Sequence, residues 1–308
     1  MKKILLLLLF ITALQQVRAQ QEIQVSQYMF NHLLINPAYA GSKEYIMATL
    51  LYRKQWVSLK GAPETEFATI HGPLGMKALG WGVTVSNDHI GVTNRTDAYL
   101  SLAYHLKLNN NLKLGMGIKA GGGYYNYKNS DLKIWDTSDQ VFEGDKKSAF
   151  QPNIGAGLYL YAEKYYVGLS IPTIIDYDPT KPLSVSSGTL LAKQVRHYYA
   201  TAGIILPVSD DVIAKPSVLV KYVGNAPVIT DINLNFLFSE ILWVGGSFRT
   251  GDGIVAMVEL ELNKQWRIGY SYDFTTTDIK TYSSGSHEIM IGYNFGYDIM
   301  KMKTPRYF

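Results

Sequence analysis

Serine, histidine and acidic residues are the first candidates for chemistry in this chain. Ser101 and His105 share one face of a predicted strand, and such a pair could begin a hydrolytic site. Along a strand their positions lie roughly 13 Å apart, too far for a hydrogen bond. The six histidines show no metal-ligand spacing, and cysteine is absent. Residues 131–145 are acidic, but their spacing is irregular for a calcium loop.

A glycine pattern around Gly115 and Gly117 loosely matches a dinucleotide-binding motif. It lies inside a predicted strand with no helix after it, so no helix N-terminus is available for a phosphate group. We therefore predict no catalytic residues, no cofactor and no metal site, and a protein that is not an enzyme.

The start of the chain has the form of an export signal. Met1, Lys2 and Lys3 precede an apolar run over residues 4–14, and Ala19 supplies a small residue for cleavage, which predicts a signal peptide over residues 1–19. No later run is apolar for long enough to predict a membrane helix, so the mature chain is periplasmic, secreted or a barrel. The net charge of +4 comes from scattered basic residues, which predicts no nucleic-acid partner.

Alternation of polar and apolar residues is the main structural signal. In residues 266–274, Trp266 and Ile268 share one face, and Arg267 and Asp273 share the other. Similar runs recur about fourteen times, at the length that a tilted strand needs to cross a bilayer. We predict an all-β fold: a transmembrane, antiparallel, up-and-down outer-membrane β-barrel of about 14 strands. A soluble β-sandwich or propeller is the alternative.

Connections between the predicted strands are alternately short and long. Short ones fall near residues 73–77, 108–111, 162–164, 207–211, 239–240 and 262–264, and long ones at 53–65, 87–93, 128–148, 172–196 and 275–285. Short turns face the periplasm and long loops face outward in bacterial barrels. This predicts an outer-membrane location with both termini periplasmic. The predicted divisions are 1–19 (signal peptide), 20–44 (plug or periplasmic segment), 45–297 (barrel) and 298–308 (periplasmic tail).

Several positions on the predicted lumen face are glycine: Gly115, Gly117, Gly121, Gly155, Gly157, Gly269, Gly292 and Gly296. Glycine within a strand marks a close approach of another backbone or a bend. One hypothesis is that residues 20–42, which lack strand alternation, fold into the lumen as a plug. The alternative is that these glycines only allow the barrel to bend.

An ordered set of motifs resembles the PorP/SprF family of Bacteroidetes outer-membrane proteins. The matching blocks are, in order, residues 26–31 (SQYMFN), 35–42 (INPAYAGS), 52–56 (YRKQW), 61–63 (GAP), 80–82 (GWG), 86–88 (SND) and 90–91 (IG). The motifs cover the first third of the chain, and the strand pattern covers the rest. The chain departs from the family where residues 22–25 replace the Asp-Pro pair that often precedes the first block.

The resemblance implies a role with the type IX secretion system. Family members help to deliver or retain particular secreted proteins at the cell surface, often adhesins, and in gliding bacteria the cargo can be a motility adhesin. The expected partners are outer-membrane lipid, a secreted cargo protein and other secretion components. An outer-membrane channel for small solutes is the alternative function, and a membrane-embedded hydrolase is a third.

The motif residues themselves suggest how a plug or a partner would be held. Asn36 and Pro37 favour an extended or turn geometry, and Tyr39 supplies an aromatic anchor with a polar tip. Arg53 and Trp56 could fasten the plug to the wall or grip the cargo. The predicted plug or partner-binding residues are Gln27, Tyr28, Phe30, Asn31, Asn36, Pro37, Tyr39, Arg53 and Trp56.

Overall fold

A computed structural model describes residues 23–43, 45–131, 144–148, 150–176, 194–224, 226–263 and 265–296. The predicted signal peptide at 1–19 and the predicted tail at 298–308 lie outside these ranges, as does most of the acidic stretch at 131–145. The domain boundaries set out above therefore stay a prediction.

Strands dominate the described residues. They are β1 (Ile46–Lys54), β2 (Glu64–Leu74), β3 (Met76–Ile90), β4 (Thr93–Lys107), β5 (Lys113–Tyr127), β6 (Gln151–Tyr161), β7 (Tyr165–Ile171), β8 (His197–Ile204), β9 (Val212–Val223), β10 (Ile229–Phe238), β11 (Leu242–Arg249), β12 (Gly253–Glu261), β13 (Trp266–Thr275) and β14 (Ser286–Phe295). Within the described ranges, no helix is both long and apolar enough to cross a membrane.

Each strand pairs antiparallel with the strands before and after it, and the sheet closes on itself because β1 also pairs with β14. Ile46 lies opposite Phe295 at this closure. Two short pieces, Lys146–Lys147 beside β5 and Leu206–Pro207 beside β9, prolong the pairing of β6 and β8 and are not counted separately. Among the described residues the barrel thus has 14 strands, as predicted from the alternation.

The connections at one end of the barrel are short, as predicted. This short-turn end carries, for example, Gly75 between β2 and β3 and residues 108–112 between β4 and β5. Residues 55–63 and 276–285 lie at the opposite, long-loop end, where the connections from β5 to β6 and from β7 to β8 also begin and end.

The predicted long connection at residues 87–93 is wrong. β3 continues to Ile90 and β4 starts at Thr93, so only Gly91 and Val92 turn the chain, with Gly91 at φ +61°. Asn94 pairs with His89 in the extended ladder. The polar residues that suggested a loop instead belong to paired strands that reach beyond the apolar part of the wall.

The two faces of the wall differ as the alternation predicts. In β13, Arg267 and Asp273 point inward and are buried, whereas Ile268 and Phe274 point outward and are exposed. The same division holds in β10, β12 and β14. The outward apolar side chains form the surface that hydrocarbon covers in an outer-membrane barrel.

A charge on the outward face should therefore weaken the barrel. Ile118 in β5 is 62% exposed and lies within the outward apolar run of that strand. Ile118→Lys is expected to lower the free energy of unfolding from phospholipid vesicles by about 2–4 kcal/mol, the cost of a lysine near the bilayer midplane. Asn110→Lys, in an exposed short turn, is the matched control. Equal unfolding midpoints for the two variants would show that Ile118 does not face lipid.

Candidate functional site

Residues 23–43, called here the N-terminal segment, lie among the inward-facing side chains of the barrel. Most of them are buried, and three short 3-10 turns follow one another at Tyr28–Phe30, His32–Leu34 and Pro37–Tyr39. The third turn forms because Asn36 accepts a hydrogen bond from the Ala38 N–H at 2.9 Å, while Pro37 has no N–H to satisfy. A segment without strand alternation thus satisfies its backbone locally.

A carboxylate on the wall holds the backbone near the start of this segment. Glu288 accepts the N–H of Ser26 at 2.8 Å and that of Gln27 at 2.7 Å, one on each carboxylate oxygen. The Ser26 hydroxyl donates to Asp273 at 2.9–3.0 Å. These hydrogen bonds to ionised groups are stronger than neutral ones, particularly away from water.

Two buried arginines balance these carboxylates. Arg53 is 2.7 Å from Asp273 and 3.1 Å from Glu288, and it also donates to the Ser26 hydroxyl at 2.9 Å. Arg249 is 3.0 Å from Asp231 and 3.4 Å from Asp273. We call Arg53, Asp231, Arg249, Asp273 and Glu288 the ionic cluster. Because all five are buried, losing one partner would leave an uncompensated charge, which is a strongly destabilising change.

Next to this cluster, towards the short-turn end, the segment contributes to an apolar core. Tyr28, Met29 and Phe30 are buried against inward residues of the wall, among them Trp243 and Met290. The Phe30 and Trp243 rings meet edge to face with centroids 5.9 Å apart. Polar contacts fix the same stretch: Asn233 donates to the Tyr28 hydroxyl at 2.8 Å, and Lys215 donates to the Met29 carbonyl at 3.1 Å.

An aromatic cluster surrounds His32 in the middle of the segment. The His32 ring lies 4.8 Å from Tyr166, 5.3 Å from Tyr39 and 5.9 Å from Tyr159, measured between centroids. Neither ring nitrogen has a hydrogen-bond partner among the described residues. His32 therefore packs among aromatic rings inside the barrel.

Glycines on the wall make room for the segment. A Cβ at Gly117 would overlap the Ala38 backbone, and one at Gly157 would overlap the Asn36 side chain. Gly80 and Gly41 approach each other closely, with Gly41 at φ +73°. Asn36 also donates to the Leu158 carbonyl at 2.9 Å, beside this gap.

The predicted lumen glycines divide into two groups. Gly115, Gly117, Gly157 and Gly269 face the N-terminal segment. Gly121 lies against the Ala98 backbone and Gly155 against the Pro172 backbone. Gly292 lies against the Arg267 side chain, and Gly296 has a φ of +66°. In the first group the missing side chain leaves room for the segment, while the second group serves local geometry.

The segment runs from one end of the barrel to the other. Gln24 donates to Asp252 at 2.6 Å in the connection between β11 and β12, at the long-loop end. Gly41 donates to His71 at 3.3 Å towards the short-turn end, and Lys43 lines a cavity there with Glu261.

The structure places eight of the nine predicted plug or partner-binding residues in this arrangement. Gln27, Tyr28, Phe30, Asn31, Asn36, Pro37 and Tyr39 are buried in the segment, and Arg53 holds Ser26 from β1. Asn31 donates to Thr69 at 2.7 Å. Trp56 instead lies in the connection after β1, where its backbone N–H donates to the Ser286 hydroxyl at 3.1 Å.

Several partners in this arrangement were not singled out as site residues by the sequence: Thr69, Lys215, Asp231, Asn233, Arg249, Asp273 and Glu288. Their only sequence signal is a polar residue on the inward face of an alternating strand. Arg53 on β1 neutralises both Asp273 and Glu288, and Glu259 pairs with Arg267 at 3.4 Å.

The chemistry suggested by Ser101 and His105 is not assembled. His105 donates from Nε2 to the Ala40 carbonyl at 2.8 Å, and its Nδ1 meets the Tyr161 hydroxyl at 3.0 Å. Nε2 thus holds the segment, while Nδ1 is engaged with Tyr161 on the wall strand β6. Among the described residues, no group of three or more acidic or histidine side chains could hold a metal ion.

Three solved structures are similar to this chain, each with a TM-score below 0.5. The Ralstonia pickettii toluene transporter TbuX is 11% identical, with a TM-score of 0.48 over 87% of this chain and 92% of its own. Acinetobacter baumannii Omp33 is 9% identical, with a TM-score of 0.47 over 83% of this chain and 100% of its own. The CymD monoaromatic hydrocarbon channel is 12% identical, with a TM-score of 0.47 over 88% and 93%.

No curated protein sequence matches the chain. The sequence model described as "Type IX secretion system membrane protein PorP/SprF" matches residues 17–293, which include the N-terminal segment and every strand of the barrel except the last residues of β14. The chain therefore belongs to the PorP/SprF family of type IX secretion system membrane proteins.

Proposed function

We propose that this protein is a non-catalytic outer-membrane component of type IX secretion that binds a particular secreted protein and helps to export or anchor it at the cell surface. The family match supports the secretion role. The observation that carries the proposal of binding rather than transport is the position of the N-terminal segment among the inward side chains of the barrel. A large surface adhesin, such as one used in gliding, is the proposed cargo.

We further propose that the N-terminal segment closes the lumen. It meets the wall on many strands: Glu288 on β14, Thr69 on β2, Ser170 on β7 and Asn233 on β10 all hydrogen-bond to it. Contacts spread around the circumference leave little space for a continuous water path.

Cavities on the two sides of the segment support closure. One, towards the short-turn end, is lined by Met29, Phe30 and Lys43 of the segment together with wall residues. Another, towards the long-loop end, is lined by Val25, Tyr28 and other residues of the segment. Because segment residues line both cavities, the segment lies between them.

In this proposal the cargo is bound from outside by the long connections. Residues 55–63 and 276–285 lie together there. The Val57 N–H donates to the Gly285 carbonyl, and the Ser284 N–H donates to the Val57 carbonyl. The short-turn end would meet periplasmic components of the secretion machinery. A channel for small solutes is the competing function, and it requires an open lumen.

Conductance in planar bilayers separates the two functions. The full-length protein is expected to show no large steady current, because the segment blocks ion flow. Arg53→Met should produce openings, since it leaves Asp273 and Glu288 without a shared cation and loosens the hold on Ser26. Lys54→Met removes only the exposed pair with Glu64 and should stay silent. Large steady currents from the full-length protein would contradict closure and favour the channel.

A deletion strain tests the secretion role. Loss of the gene should remove one or a few proteins from the cell surface while most type IX secretion persists, because binding is specific to a cargo. Mass spectrometry of surface-released proteins would measure this, with the wild-type gene restored as the control. Equal loss of every type IX substrate, or loss of none, would contradict cargo-specific binding.

A further inference from the structure

We infer that the N-terminal end of the mature chain is presented at the cell exterior, at the long-loop mouth of the barrel. The alternation of turns and loops had suggested that both termini are periplasmic. The inferred location of the N-terminus differs from that prediction because the chain passes through the lumen before it enters β1. It depends on the direction of the N-terminal segment and is independent of cargo binding.

The start of the segment is fixed at the long-loop end. Gln24 bonds to Asp252, which lies in the connection between β11 and β12. Ser26 bonds to Asp273 and Glu288, each two residues from the long-loop end of its strand. Arg53, which also holds Ser26, is one residue from the same end of β1.

The end of the segment is fixed towards the short turns. The Ala40 carbonyl accepts from His105, which is two residues from the short-turn end of β4. Gly41 bonds to His71, three residues from the end of β2. Lys43 shares a cavity with Glu261, the last residue of β12. The chain therefore descends through the lumen and turns into β1 at Ile46.

The reach of the remaining chain decides where the mature N-terminus can be. With the predicted cleavage after Ala19, residues 20–23 precede Gln24 in the mature chain. At about 3.3–3.6 Å per residue they span at most roughly 14 Å. That is shorter than the apolar band of an outer-membrane barrel, about 25 Å tall. The start of the mature chain is therefore too short to return from Gln24 to the short-turn side of the apolar band.

Orientation in the membrane converts this geometry into a location. Bacterial outer-membrane barrels place their short turns in the periplasm and their long loops outside. The end of the barrel that holds Gln24 also carries the connections at 55–63 and 276–285. A partner that recognises the N-terminus would consequently have to act from outside the cell.

The absence of cysteine makes the location directly measurable. Ile23→Cys would be treated on intact cells with a membrane-impermeant maleimide and then again after permeabilisation. Ser58→Cys, exposed in the connection after β1, is the control for the exterior, and Asn110→Cys, exposed in a short turn, is the control for the periplasm. We expect Ile23→Cys to label on intact cells as Ser58→Cys does, with no gain after permeabilisation.

A second variant covers the case in which the thiol is shielded at its partly buried position. An epitope tag inserted directly after Gln20 should be detected by antibody on intact cells. Two results would place the N-terminus in the periplasm and overturn the inference. One is detection of the tag only after permeabilisation, and the other is labelling of Ile23→Cys only after permeabilisation, as for Asn110→Cys. Neither result depends on whether the protein conducts ions or binds a cargo.

Discussion

The structure depends on one buried carboxylate, Glu288, which accepts the backbone N–H groups of Ser26 and Gln27 while Arg53 neutralises it. A charge inside a barrel wall is unfavourable unless it is paired and hydrogen-bonded. Arg53 supplies the pairing, and the segment supplies two of the hydrogen bonds. Without the segment, Glu288 and Asp273 would lose these donors, so the wall and the segment each satisfy groups that the other buries.

The same mutual dependence extends to the apolar contacts. Both hydrophobic clusters of the described residues contain segment residues: Met29 and Phe30 belong to one, and Ala38 and Tyr39 to the other. Glycines such as Gly117 let the two backbones approach to contact. The interior of this barrel is therefore built around a separate stretch of the same chain.

Much of this architecture follows from sequence pattern. Period-two alternation in strands such as β13 predicted the wall and which residues face inward. Inward glycines such as Gly117 left a close approach and a bend as alternatives, and the Ala38 backbone beside Gly117 favours the close approach. The connection at 87–93 was misassigned because polarity alone does not separate a loop from a strand that extends beyond the lipid. The pairing of Arg53 with Glu288 depends on how β1 closes against β14, which no local pattern encodes. The direction of the segment through the lumen likewise depends on contacts between residues more than two hundred positions apart, such as Gln24 and Asp252.

The proposal that this barrel binds a partner at its rims rests on the position of the N-terminal segment, and the family match gives the proposal a context in secretion. The central claim is that residues 26–40 are packed inside the barrel. Hydrogen–deuterium exchange of the folded protein in lipid nanodiscs tests it most directly. The amides of residues 26–40 should exchange as slowly as those of β13 and β14, and far more slowly than those of the turn at 108–111. Exchange of residues 26–40 at the rate of that turn, with the strands still protected, would contradict the account.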